Sequence, residues 1–213
     1  SMSFMSASEL YASAPSIFPK AFTLENYRSI FQGNIPIFTF LKNTVIMALL
    51  ITAVQLAVSS ITAYALTGLD VPFKNLIFIL ILGGMMIPFE STMLANYLFV
   101  AQNGLRNQYL GLILPFLLSP AGIFLMRQQF KSIPKEIYDA AAIDGCGPVR
   151  LFLRLLLPMS GNALASLAIL SMITAWNQYI WPLLVTNKNE MRTVQVGISM
   201  LQGLEFSDYT LVM

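Results

Sequence analysis

Between residues 43 and 69 the chain carries no Asp, Glu, Lys or Arg, and the same is true of 107–126 and 155–187. A helix that crosses a bilayer needs about 20 mostly apolar residues, so each stretch holds one span. Composition agrees. Only 10% of the residues are charged and 56% are hydrophobic, whereas a soluble domain carries about 25% charged residues. A fourth stretch is interrupted, with 75–89 and 91–105 uncharged and Glu90 between them. A central acid costs about 2.5–3.5 kcal/mol on insertion, and each Leu, Ile, Phe or Val returns about 0.3–0.6. The run Leu76-Ile77-Phe78-Ile79-Leu80-Ile81-Leu82 therefore offsets one acid. The pattern predicts a span near 75–99, broken or bent at Pro88, since proline removes a helix hydrogen bond and crowds the preceding turn. Such a break is tolerated where it faces protein or a water-filled cavity.

The residue inventory excludes several functions. There is no histidine and a single cysteine, Cys146. Zinc and haem sites, histidine acid-base catalysis and an intrachain disulfide are thereby ruled out. The sequence offers no catalytic residue and no metal-ligating set. It lacks the G-x-x-x-x-G-K-[ST] phosphate loop, and a net charge of +2 is too small to suggest nucleic acid. Ser1-Met2 reads as a scar of expression, with no signal-peptide pattern behind it.

Basic residues give the orientation. Lys74, Arg127, Lys131, Lys135, Arg150 and Arg154 crowd 67–74 and 127–154. Lys20, Arg28, Lys42, Arg106, Lys188 and Arg192 are spread over segments more than twice as long in total. Lys and Arg concentrate on the cytoplasmic side, which puts 67–74 and 127–154 there. The reading is an all-α membrane protein of four transmembrane helices. Residues 1–42 form an external segment with short helical pieces such as "LENYRSIF". Residues 43–185 form the membrane core, with a polar loop at 127–158. Residues 186–213 form an external loop and the approach to a further helix.

That loop holds the densest charge in the chain. Pro134 suits a helix start, Ser132 stands where it could cap it, and Gly145 suits a helix end in the left-handed conformation. A three-turn helix over 134–144 follows. Ile133, Ile137 and Ala141 share one face at i, i+4 spacing, with Ala140 beside them. Gly147-Pro148 opens a second helix, which Pro158 interrupts. A helix this short is marginal alone in water and needs a surface, either its own bundle or a partner.

The stretch resembles the signature of ABC importer permeases: Glu-Ala-Ala, three residues, Gly, nine residues, then Ile-x-Leu-Pro. Here it stands as Asp139-Ala140-Ala141, Gly145 and Leu155-Leu156-Leu157-Pro158, with Asp for Glu and Leu for Ile as departures. "FTLENYRSIF" at 22–31, "TVIMALLITAVQLAVSSITAYAL" at 44–66, "GLILPF" at 111–116 and "WNQYIWPLLV" at 176–185 resemble the smaller permease subunit of the carbohydrate branch. The resemblance implies a MetI-like core of six helices, of which this chain holds four plus a cytoplasmic coupling helix, as a fragment without the first and last spans. It implies a coupling helix that sits in a cleft of an ATP-binding subunit, with Glu136, Asp139, Ala140, Ala141, Asp144, Gly145 and Pro158 as the coupling residues. Ala140 and Ala141 would admit a partner backbone, and Ala141→Arg would disconnect ATP hydrolysis from transport. No cofactor belongs to this chain, because ATP and Mg are bound by the partner ATPase. The implied partners are an ATP-binding subunit dimer, a second and different permease subunit, an external sugar-binding protein and membrane lipid. The implied location is a bacterial or archaeal cell membrane.

Other positions stay open. Glu90, beside Pro88, either reaches water at the outer end of its span or acts as a gate. Trp176 and Trp181 read as interface anchors, while Asn177 and Tyr179 are alternative linings of a sugar path. Gln55, Ser59, Ser60 and Thr62 line that path or bond between helices, and 187–205 is a contact region for the binding protein. Against the transport subunit stand an amino-acid or peptide permease, a secondary transporter using Glu90, and a membrane-embedded enzyme, which the missing histidine and missing paired carboxylates disfavour.

Overall fold

A computed structural model describes residues 36–204, together with Phe4, 22–24 and Arg28, and side chains as far as residue 200. Of the predicted helical piece "LENYRSIF" only Leu24 and Arg28 are described, the Arg28 amide donating to the Leu24 carbonyl at 3.0 Å, and the approach to a further helix at 207–213 lies outside the described residues. Within them the chain is all-α. The helices are α1 (Ile37–Gly68), α2 (Lys74–Gly84), α3 (Phe89–Gln102), α4 (Tyr109–Phe116), α5 (Pro120–Ser132), α6 (Lys135–Ile143), α7 (Pro148–Met159), α8 (Gly161–Trp176), α9 (Ile180–Val185) and α10 (Val194–Leu204).

Helix α1 is unbroken because no proline or glycine falls inside it before Gly68, and Leu69 then turns extended. Its 32 residues span roughly 48 Å at 1.5 Å per residue, more than a bilayer's hydrocarbon. It alone among the described helices is long and apolar enough to cross a membrane by itself. Three bent pairs pass the same test when each is taken as one span: α2 with α3 at 92°, α4 with α5 at 53°, and α7 with α8 at 77°. Up to four spans are thus available if each bent pair is one span, the number that the charge-free stretches predict.

The bend beside Pro88 is as predicted, the interruption predicted at Pro158 falls just after it, and the bend between α4 and α5 is additional. Each has a local cause. Gly83, Gly84 and Pro88 bracket the first. Pro115 and Pro120 bracket the second, where Ser119 Oγ accepts the Gly122 amide at 3.0 Å and caps α5. Pro158 and Gly161 bracket the third. The Arg154 carbonyl has no N–H to accept from Pro158, and α7 widens to a π-helix over Phe152–Leu156 just ahead of it. Pro158 does not end the helix; the break comes at Ser160, which is fully buried and donates Oγ to the Leu156 carbonyl at 2.7 Å.

Helices α5 and α8 pack along α1 more extensively than any other element. Toward the Ile37 end, Met47, Ala48 and Ile51 join Val100, Leu112, Ile113, Ala175, Trp181 and Val185. Toward the Gly68 end, Ala63 and Tyr64 join Met126, Phe130, Ile133, Leu156, Ala163 and Leu167. Small residues set the spacing, as between membrane helices generally. A Cβ at Gly122 would come within 2.5 Å of Ser59 Oγ.

Two boundaries differ from the sequence reading. Helix α5 continues six residues into the predicted polar loop, carrying a buried Arg127. Its guanidinium lies 3.9 Å from the centre of the Phe78 ring and donates to Asn75 Oδ1 at 3.3 Å, so aromatic and amide contacts replace water around the charge. The polar stretch after 185 is no free loop either. Asn43 Nδ2 donates to the Glu190 and Arg192 carbonyls at 2.8 and 3.0 Å, and its Oδ1 accepts from Tyr109 at 2.7 Å. Thr44 Oγ1 accepts the Val194 amide at 2.9 Å. Helix α10 rests on α1, with Val196 buried and Gly197 so close to Phe40 that any Cβ would overlap the ring.

Candidate functional site

The charged turn follows the predicted plan with local corrections. Pro134 stands at the cap position (φ −56°, ψ 141°), one residue outside α6. Ser132 does not cap; its hydroxyl donates back to the Gln129 carbonyl at 2.7 Å. Glu136 falls in the first turn, where a carboxylate complements the helix dipole. At the other end Gly145 takes φ +68°. The Cys146 amide donates to Ala141 at 2.9 Å and the Gly145 amide to Ala142 at 3.1 Å. This is a Schellman closure, which needs a left-handed residue where the glycine stands.

The face formed by Ile133, Ile137 and Ala141 exists, but it is turned toward the chain's own bundle. Ile133 is buried, Ile137 is half-buried, and Ala141 is 4% exposed. Ala141 is therefore not open to a partner, and arginine there would test the chain's own packing instead of docking. Glu136, Asp139, Ala140, Asp144 and Gly145 are exposed on the outer side, as is Pro158 farther along. Two residues that the sequence reading missed join them: Ile143 at 86% exposure and Val149 at 71%. The available signal was their position off the apolar stripe, which leaves a large side chain on each arm of the turn facing solvent.

Two tyrosines hold this turn to the membrane helices. Tyr138 of α6 donates to the Phe130 carbonyl in the last turn of α5 at 3.0 Å. Burial, with the Tyr64 phenol as a second cause, raises the Tyr138 pKa above that of an ordinary tyrosine. Tyr64 of α1 donates to the Pro148 carbonyl at the head of α7, also at 3.0 Å. Its ring stacks on Phe152 at 5.2 Å between centroids, and Phe152 meets Phe130 edge-on at 6.4 Å.

A second region gathers where the helices break. A cavity of about 760 Å³ is lined from two of these bends and from one further gap: by Met85 and Ile87 between α2 and α3, by Leu118 between α4 and α5, and by Asn177 and Tyr179 between α8 and α9. Glu90 lines it from the first turn of α3. Three of the four predicted path residues, Glu90, Asn177 and Tyr179, thus share one wall system. Pro88 does not line it but sets the break, standing extended (φ −64°, ψ 140°) ahead of α3. Gln55, on unbroken α1, reaches in and donates to the Phe116 carbonyl at 2.6 Å, an acceptor freed where α4 stops. Ser60 bonds within its own helix at 2.7 Å, and Ser59 Oγ is buried without a partner.

Trp181 corrects the aromatic reading. It is fully buried, donates Nε1 to the Gly111 carbonyl at 3.1 Å, and meets Phe89 and Phe116 edge-on. It floors the cavity and anchors nothing at an interface.

Residues 30–213 match the family model described as binding-protein-dependent transport system inner membrane component. The chain is 37% identical over 183 residues to the arabinooligosaccharides transport system permease protein AraQ of Halalkalibacterium halodurans, covering 86% of this chain and 66% of that one. It is 33% identical over 194 residues to AraQ of Bacillus subtilis, covering 91% and 69%. Against the sn-glycerol-3-phosphate transport system permease protein UgpE of Escherichia coli K12 it is 34% identical over 194 residues, covering 89% and 69%. The chain thus spans about two thirds of the length of the curated relatives it matches. Among solved structures, a bacterial ABC transporter involved in the import of the acidic polysaccharide alginate superposes with a TM-score of 0.86 at 22% identity, over 100% of this chain and 80% of that one.

Proposed function

Since the chain belongs to the binding-protein-dependent inner-membrane permease family of ABC importers, we propose that it is the membrane-spanning part of an ATP-driven sugar importer whose ATPase is a separate subunit. The observation that carries this is the turn at 135–149. The permease signature falls on an exposed, rigidly closed knob that presents Ile143 and Val149 to solvent. An isolated soluble loop has no reason to expose two large apolar side chains beside Glu136, Asp139 and Asp144. A cleft on an ATP-binding subunit would take the apolar pair as its buried contact, with the acids as a rim that sets orientation.

In this reading a dimer of ATP-binding subunits closes on ATP and carries the turn with it. The membrane helices follow and open the cavity to alternate sides. A second, different permease subunit completes the path, and an external sugar-binding protein delivers cargo. The turn faces the cytoplasm. Removing buried Arg127 from the charge count still leaves the denser basic residues on that side. Asp139, Ala140 and Gly145 form the docking face, Ala141 fastens it from behind, and Pro158 sits where α7 re-enters the bundle.

The cavity supports a neutral cargo. Glu90 is its one charged lining residue, and no Lys or Arg reaches it among the described residues. A phosphate-bearing cargo, as in the name of UgpE, would meet an acid and no cation from this wall. A sugar would find the amides of Gln55 and Asn177 and the Tyr179 ring. Ile143→Asp in the complex purified with its partners tests the docking role. Stimulation of ATP hydrolysis by the loaded binding protein should fall at least tenfold, and unchanged stimulation would remove the docking role.

A further inference from the structure

Resting on that reading of the turn, we infer that Tyr64 and Tyr138 are positioning residues that carry the turn's movement into α1 and α5. The turn has two arms, α6 and α7, and each is joined to a different membrane helix through one phenolic hydroxyl. Tyr138 reaches from α6 to the Phe130 carbonyl of α5, and Tyr64 reaches from α1 to the Pro148 carbonyl of α7. The rings of Tyr64, Phe152 and Phe130 form a continuous run of contacts between the same elements, the first pair stacked and the second edge-on. Gly68 leaves room for the Tyr64 ring on one side, since a Cβ there would come within 2.5 Å of it.

Neither hydroxyl is required to satisfy its acceptor. The Phe130 carbonyl also receives the Ile133 amide at 3.4 Å, and the Pro148 carbonyl receives the Phe152 amide. Removing the hydroxyls strands no buried group and leaves the rings packed, so the fold does not depend on them. They add direction: a hydrogen bond fixes the angle between two elements, where apolar contact alone lets them slide. A push on α6 and α7 then reaches α1 and α5 together, and these are helices whose residues border the cavity.

The test needs no known cargo. In the complex purified with its partner subunits, Cys146 is replaced by serine and Ile87, which lines the cavity, by cysteine. Labelling of that cysteine by a bulky membrane-impermeant maleimide is then compared without nucleotide and after trapping with ATP and vanadate. The otherwise unmodified complex should change its labelling rate at least fivefold. If it does not, the proposed function fails. With the double change Tyr64→Phe and Tyr138→Phe, subunits should co-purify, ATP hydrolysis should stay within about twofold, and the labelling change should shrink below twofold. A full labelling change in the double variant overturns the inference alone. Loss of co-purification in either single variant also overturns it, because that is the signature of a merely structural role.

Discussion

The two ends of α1 are held in different ways. Near Ile37, the side chains of Asn43 and Thr44 bond to segments remote in sequence, at Tyr109, Glu190, Arg192 and Val194, with Thr44 also donating to the Phe40 carbonyl of its own helix. Near Gly68 the side-chain hydrogen bonding to other elements is one tyrosine hydroxyl, and the rest of the attachment is apolar packing and a run of ring contacts. Buried polar bonds are lost as a unit and fix one geometry. Ring contacts tolerate small displacements at little cost. On the proposed function, the first end stays and the second follows the turn.

Substitutions at each end can break or sharpen that contrast. The largest effect is expected at the fixed end. Asn43→Leu would strand the Tyr109 hydroxyl and two carbonyls, at about 1–3 kcal/mol for each group left unpaired. Thermal unfolding in detergent should show a clearly lowered midpoint, and an unchanged midpoint would mean that this end is no anchor. Gly197→Val comes next. It forces a side chain into Phe40, an overpacking cost of about 1–3 kcal/mol, read by the same assay and by protease access to α10. At the moving end, Gly145→Ala puts a Cβ on a residue at φ +68°, about 1–2 kcal/mol. The midpoint should fall modestly while ATPase stimulation falls more. Ile143→Asp should be smallest in stability, within about 0.5 kcal/mol for an exposed site, although on the proposed function it removes docking. A large stability loss there would place Ile143 in the core and undo the contrast.

Much of this architecture was legible in the sequence because long uncharged runs leave few alternatives in a bilayer. Pro88 was legible as a break because an acid beside it made the span suspect. Pro115 and Pro120 were not, since charge counting is blind to a proline inside an apolar run, while Pro158 was read as an interruption that comes two residues later, at Ser160. Gly145 could be read because only glycine sits easily in the left-handed closure. Ala141 was placed on the right face but given the wrong neighbour, as periodicity defines a stripe without saying what covers it. Trp181 read as an interface anchor because aromatics at span ends usually are. Its acceptor at Gly111 lies 70 residues away, and no local pattern announces it. Arg127 was counted as solvent-facing for the same reason: the ring beneath it belongs to another helix.

The contrast between one whole helix and three fractured ones bears on how the molecule is made. Each half of a fractured pair is too short to traverse lipid unaided, and its frayed backbone cannot stay in hydrocarbon without protein around it. Helix α1 has neither handicap. Among the described helices this rod should therefore lodge in the bilayer ahead of the halves, which are accepted against it as they emerge, so that lesions in α1 act on insertion before they act on transport.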